Sequence, residues 1–339
     1  MKRTVIGATA LAFLTASSVN AYATTWNVSL WGKRRAFTEH VEKLSELVSK
    51  KTDGKFKLNI SYGGLSKSKE NLDNISFQAF EMAQFCASYH EDKNPSITVL
   101  ELPFLGITSL EQEAAVSMAL YKHPAVEKDL ARWSATLLMP TPLPQYNIIG
   151  VGKPPKSLKE YKGLSIRATG GIGSAMKTIG AVPTSTSAAE VRQALDSGVV
   201  KAVAFAPHAH MSFGTIENAK WWTTNLNPGT VNCPVVVNTD ALNSLTDAER
   251  DALLGSVDEA MKYYIEYYNE NTMNKWWPML KEKGVEQITY SEDKLNAFRQ
   301  GIAGPAAKKW VKDNKKRGLP AQELLDLVKD EIKKNAKQG

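Results

Sequence analysis

Apolar positions along the chain change period several times, passing from short alternating runs to stretches in which they recur every three or four residues, the mark of strands followed by helices. Residues 25–30 read as a strand, and Phe37, Val41, Leu44 and Val48 then recur at helical spacing until Gly54 stops them. Residues 55–62 alternate as a second strand. A helix over about 69–79 leads into an apolar run at 82–87, which makes a β-α-β-α-β unit, and a further run at 97–105 leaves through Leu102-Pro-Phe104.

A second series begins near Asn147. Residues 164–168 predict a strand, Thr169-Gly-Gly-Ile-Gly173 a glycine-rich turn, and 174–179 a short helix. Ser187-Ala-Ala-Glu190 fits a capping box, with Val191, Ala194 and Leu195 on one face before a stop at Gly198. Residues 199–205 predict the next strand, Ala206-Pro207 ends it, and 235–237 carries the chain onward. Thr246 with Glu249 makes another capping box. From there Leu254, Val257, Met261, Ile265, Tyr268 and Trp276 keep near-helical spacing to Lys283, with a kink anticipated at Pro278. One helix over 247–283 would be about 55 Å long at 1.5 Å per residue, more than the width of one domain, so it is expected to span two.

This alternation is the pattern of α/β layers. At 339 residues the chain is too long for a single core. Residues 24–147 with 236–246 are read as domain I, 148–235 as domain II, 247–283 as the spanning helix, and 284–339 as a strand and helices packed on the domains.

Residues 5–16 form an apolar stretch shorter than the roughly 20 needed to cross a bilayer. Lys2 and Arg3 precede it, and small residues follow at Val19, Ala21 and Ala23, so residues 1–23 read as a secretory signal peptide and the chain as a periplasmic protein. Removing Lys2 and Arg3 leaves 40 basic and 35 acidic residues, a net charge of +5. Residues 307–339 hold ten basic and five acidic residues, which accounts for the whole excess. They lie on what reads as the solvated face of terminal helices, not in a groove with interleaved aromatics, so no nucleic-acid partner is expected. Export permits a disulfide, but Cys86 and Cys233 sit in separate apolar runs, and two buried free thiols are the favoured reading.

The chain has no Gly-x-Ser-x-Gly, His-Glu-x-x-His, Walker loop or paired-cysteine zinc spacing. His208 and His210 have strand-like spacing without a nearby carboxylate or cysteine, so neither a metal nor a cofactor is expected. Catalysis is disfavoured. The order strand, Arg167, glycine-rich turn, helix start is more informative, because it sets a guanidinium beside free N–H groups at the positive end of a helix. An arginine can grip a carboxylate through two parallel hydrogen bonds. Thr169 and Gly170 would supply backbone donors at the same place.

The signal peptide, Gly163-Leu-Ser-Ile-Arg167, Ile179-Gly-Ala-Val-Pro183, Glu190-Val-Arg-Gln-Ala-Leu-Asp-Ser-Gly-Val-Val200 and the long helix together resemble the solute-binding subunits of tripartite ATP-independent periplasmic (TRAP) transporters, of the DctP type. The similarity spans nearly the whole mature chain and includes Leu100-Glu-Leu-Pro-Phe104. It implies an α/β fold of two domains joined by crossing strands and a long helix, closing on a small organic acid whose carboxylate meets Arg167. It also implies delivery of that acid to membrane permease subunits. Where the family carries an acidic-Gly-x-Glu-Asn-Pro stretch, this chain has Lys201-Ala-Val-Ala-Phe-Ala-Pro207. The family's ligand-touching asparagine is thus replaced by Phe205 or Ala206, which suits a monocarboxylate with an apolar body better than a sugar acid. Glu190 matches a family glutamate but stands in the capping box.

Ligands of α/β sheets bind beyond the carboxyl ends of strands. That rule adds Trp31 and Arg35 after the first strand, Tyr89 and His90 after the run containing Cys86, Asn147 at a crossover, and His208 after Pro207. Trp221-Trp222 and Trp276-Trp277 are expected to brace helices. A monomeric binding protein is the expectation. A hydrolase or lyase using His208 with Tyr89, and a ligand sensor of the same fold, are the alternatives.

Overall fold

The computed structural model describes residues 23–336, so the signal-peptide reading falls, but for Ala23, outside the described residues. Eleven strands form two sheets: β1 (Thr24–Leu30), β2 (Phe56–Tyr62), β3 (Met82–Gln84), β4 (Ala135–Met139), β5 (Asn147–Gly150), β6 (Ser165–Arg167), β7 (Val182–Thr184), β8 (Ala202–Phe205), β9 (Trp221–Thr223), β10 (Val235–Asn238) and β11 (Glu286–Ile288). The first sheet has the order β2-β1-β3-β10-β4, the second β11-β9-β5-β8-β6-β7. Strands β1, β2 and β3 run parallel and β10 runs against β3 and β4, while in the second sheet β5 opposes β8 and β9.

The sequence pattern explains the layers. In β1, Trp26, Val28 and Leu30 are buried while Thr25 and Asn27 face solvent. Helix Glu39–Lys51 turns His40, Val41, Leu44, Leu47 and Val48 inward, with Glu39 and Glu42 in its first turn and Lys50 and Lys51 in its last, each sign at the end its dipole favours. One apolar cluster runs through both sheets and includes Val28, Leu30, Ile148 and Ile166. A second lies on the other face of the first sheet, where Phe85 and Val236 meet Leu324 and Val328 of helix Ala321–Asn335.

The chain passes between the sheets three times: from β4 to β5, back from β9 to β10, and again through residues 239–285 to β11. The single helix expected over 247–283 is broken. Asp247–Leu254 ends at Gly255, and a rod then runs through helix Val257–Tyr267, a π-helical turn at Tyr268–Thr272, and helix Met273–Glu282. At 1.5 Å per residue it is about 39 Å long, not 55. Its first part packs on helix Glu39–Lys51 beside the first sheet, and its last part on helix Pro207–Ser212 beside the second. Among the described residues the longest helix is Glu292–Lys316 instead.

Other expectations change locally. The glycine-rich turn is already helical from Gly170, with Thr169 as N-cap, in helix Gly170–Thr178. His208 and His210 lie on helix Pro207–Ser212, and Trp221 and Trp222 on β9. The run at 97–105 contains a 3-10 helix, Ile97–Glu101. Both capping boxes form.

The cysteines are a correction: Cys86 and Cys233 are joined, with S–S 2.02 Å. The reason is register. Beyond the last paired residues of β3 and β10, Phe85 N–H donates to Pro234 O at 3.1 Å and Ala87 N–H to Asn232 O at 2.8 Å. The two cysteines therefore face each other as the intervening non-hydrogen-bonded pair, where opposed side chains come closest.

Candidate functional site

Strand ends from both sheets converge on one small cavity. Trp31 follows β1, Ser88 and Tyr89 lie beyond β3, Arg167 ends β6 with Thr169 two residues on, and Phe205 ends β8. Strands β5 and β10 run the other way, so they bring Tyr146 and the Cys233 segment to the same place by their amino ends. The void left among these side chains is about 20 Å³, room for about one water.

Arg167 is 3% exposed. Its Nε donates to Thr186 O at 2.9 Å, Nη2 to the Tyr89 hydroxyl at 3.0 Å, and Nη1 to Ala204 O at 3.4 Å. Its guanidinium carbon lies 4.5 Å from the Phe205 ring centre. Among the described residues no carboxylate pairs with it. A buried charge is normally neutralised by an opposite one, so this group is held by carbonyls, a phenol and a ring while its charge stays uncompensated. Tyr89 joins the two sides, because its hydroxyl also accepts from Ala188 N–H at 3.0 Å.

The rest of the wall is aromatic. Trp31 stacks on Phe213 at 6.3 Å and leans on Phe37 at 5.2 Å, while Phe205 meets Phe213 at 5.9 Å and Tyr146 at 6.4 Å. Arg35 lies against the same rings, 4.5 Å from Trp31 and 5.3 Å from Phe213, and is 7% exposed. Burial pulls its guanidinium down to about 9. The turn that seats it needs a glycine: Gly32 has φ +76°, and a Cβ there would stand 3.1 Å from Arg35 Nη1. His208 stacks on Phe37, and its Nδ1 pairs with the Tyr268 hydroxyl at 2.9 Å. Burial holds it well below the usual imidazole range, hence neutral.

The structure thus gathers Arg167, Trp31, Tyr89, Thr169, Phe205 and His208 around the cavity. Arg35 is packed behind them, among Trp31, Phe37 and Phe213 and outside the lining. Three further expected residues stand elsewhere. His90 is buried against Phe85 outside the cavity, because the chain turns through a 3-10 segment after Cys86. Asn147 is consumed by the crossover: its Oδ1 accepts from Thr223 Oγ1 and Leu226 N–H, and its Nδ2 donates to Asn227. Gly170 lies outside this cavity, on a separate groove beside Glu101, and a Cβ there would stand 2.5 Å from a carboxylate oxygen of Glu101. That carboxyl, with Oε1 accepting from Ser88 and Asn232 N–H, is pushed up to about 8 by burial. Phe37, Phe213, Ala188, Ala209, Val231 and the disulfide also line it without having been expected. Phe37 follows the helical apolar period and so reads as core. Phe213 carries only the hint of the helix-ending glycine behind it.

His208 and Tyr89, the pair a hydrolytic reading needs, are bonded to Tyr268 and to Arg167 respectively. Among the described residues no group of three or more histidine, cysteine or acidic side chains is placed to hold a metal, and no helix is long and apolar enough to cross a membrane.

Comparison with known proteins bears on the fold and the family. A TRAP periplasmic solute-binding protein from Bordetella bronchiseptica with bound (R)- and (S)-mandelate is 19% identical, matches 92% of this chain and 99% of its own, and superposes with a TM-score of 0.80. A marine metagenome TRAP solute-binding protein specific for aromatic acid ligands, in complex with 3-hydroxybenzoate, is 19% identical over 92% of this chain and 99% of its own, with a TM-score of 0.82. These likenesses are of fold. The transporter protein TsaT of Comamonas testosteroni, described as an outer membrane protein, is 21% identical over 87% of each chain. The model of the DctP family covers residues 28–313. The chain belongs to that family, the bacterial extracellular solute-binding proteins of family 7.

Proposed function

We propose that this protein is the periplasmic solute-binding subunit of a TRAP transporter, taking up a small organic acid between two lobes and handing it to membrane permease subunits. Residues 24–147 with 236–246 form one lobe and 148–235 the other, and closure about the crossing strands excludes water from the ligand. The observation that carries the reading is the buried guanidinium of Arg167, unpaired with any described carboxylate and set at a strand end in an aromatic-walled cavity. A carboxylate would supply its missing charge, and the rings would cover an apolar body. The void is small, so entry of an acid requires the lobes to part and close again.

Thermal stabilisation of the mature protein across a panel of organic acids tests the reading. Saturable stabilisation without product is expected, and turnover of any acid overturns it. Arg167→Lys keeps the charge but not the fork, so calorimetry should read at least a tenfold loss of affinity.

Closure itself has a test at Gly171. A Cβ there would stand 1.9 Å from the carbonyl oxygen of Glu101 on the opposite lobe, a distance backbone cannot tolerate without moving. Gly171→Ala is expected to fold, to hold the lobes apart, and to weaken acid binding about tenfold or more. Small-angle scattering should read a larger radius of gyration with saturating acid than for the unmodified protein.

A further inference from the structure

We propose that the closed protein holds a proton on Glu101 that the open protein gives up, so that capture of an organic acid captures a proton with it. This rests on the reading of the chain as two lobes that part and close on an acid. Glu101 ends the 3-10 helix Ile97–Glu101 and is buried. Its cover comes from the other lobe: a Cβ on Gly170 would stand 2.5 Å from its Oε2, and one on Gly171 would stand 1.9 Å from its carbonyl oxygen. When the lobes part, both glycines leave with helix Gly170–Thr178, and water reaches the carboxyl.

The closed surroundings do not neutralise a charge on it. Oε1 accepts from the N–H groups of Ser88 at 3.2 Å and Asn232 at 2.9 Å, which are neutral donors. Among the described residues no lysine or arginine pairs with the carboxyl. The groove beside it holds two cations, but Lys309 is bonded to Asp313, and Arg317 to Asp92 at 3.2 Å. Arg167 of the opposite lobe donates to Thr186, Ala204 and Tyr89. Glu91 and, from helix Leu110–Tyr121, the buried Glu113 add negative charge nearby, while burial keeps Tyr121 and Tyr146 neutral.

The two N–H groups and the positive start of helix Gly170–Thr178 favour the anion, but burial without a cation outweighs them and pushes the carboxyl up to about 8. An exposed glutamate titrates near about 4.3. Between these values closure takes up a proton, so acid affinity falls as the pH rises and levels off above about 8. The effect reaches the cavity through Ser88, which Glu101 holds by its N–H and whose hydroxyl donates to Thr169 Oγ1 across the lobes at 3.4 Å.

Calorimetry at pH 7 in phosphate and in Tris, whose heats of ionisation differ, counts the protons taken up by the mature protein with mandelate, 3-hydroxybenzoate, hexanoate and pyroglutamate. About nine-tenths of a proton is expected for each acid that binds, and affinity should fall about tenfold or more from pH 6 to pH 8. Glu101→Gln keeps an acceptor for Ser88 and Asn232 and cannot ionise. In that variant uptake should drop by at least half, and affinity should vary by less than about threefold over the same range. Uptake below about half a proton in the unmodified protein overturns the inference and leaves the organic-acid reading standing. So does uptake that falls by less than half in folded Glu101→Gln. If Glu101→Gln does not fold, the proton count and pH profile of the unmodified protein decide, and a level profile overturns the inference. Failure of all four acids to bind overturns the organic-acid reading, and the inference with it.

Discussion

Arg167→Ala is expected to remove acid binding to the limit of calorimetry, a loss on the order of a hundred- to a thousandfold, while the variant remains folded. Removing one partner of a buried ion pair costs about 3–5 kcal/mol, because the other charge is left desolvated and unpaired. Here a bound carboxylate would face the Phe205 ring and the Ala204 carbonyl, neither of which can donate to it. The fold should survive because Arg167 supports no acidic partner. Its contacts are one ring and three hydrogen bonds, and its removal relieves a desolvated charge as well as freeing two carbonyls. Circular dichroism should therefore show native secondary structure. Near-native affinity in this variant would show that the acid is held elsewhere.

Replacing both Cys86 and Cys233 by serine should lower stability by about 2–5 kcal/mol, the range for loss of a native disulfide closing a long loop. The bond closes a sequence separation of 147 residues, and both positions are buried. Two serine hydroxyls would be left in an apolar wall. Urea unfolding of the double variant beside the oxidised protein reads the difference, and reductant should bring the two midpoints together. Acid affinity should fall too, since both cysteines line the cavity. Equal midpoints in the absence of reductant would mean that the bridge does not form.

Much of this site is written locally in the sequence. Arg167 was legible because strand, arginine and glycine-led helix follow one another within a few residues, Trp31 and Tyr89 because each stands just past a strand, and Phe205 only through the resemblance, at the place of the family's asparagine. What escaped depends on register and on distant partners. Nothing near Cys86 says that it faces Cys233, for that follows from how β10 returns beside β3. Nothing near Asn147 says that its amide is spent on Thr223, Leu226 and Asn227. The helix over 247–283 failed differently. Apolar spacing runs on across Gly255, and period alone is blind to a residue whose backbone readily leaves the helix. Gly170 and Gly171 looked like a seat for an anion, but their small size serves the close approach of Glu101.

The place of β10 between β3 and β4 bears on biogenesis. The first sheet lacks its penultimate strand until residue 238 has been made, whereas five of the six strands of the second sheet are complete by residue 223. The first sheet therefore cannot close until a strand made after five strands of the second returns between β3 and β4. Pairing over such a sequence separation is intrinsically slow, so closing of the first sheet is expected to be the late step when the unfolded protein refolds.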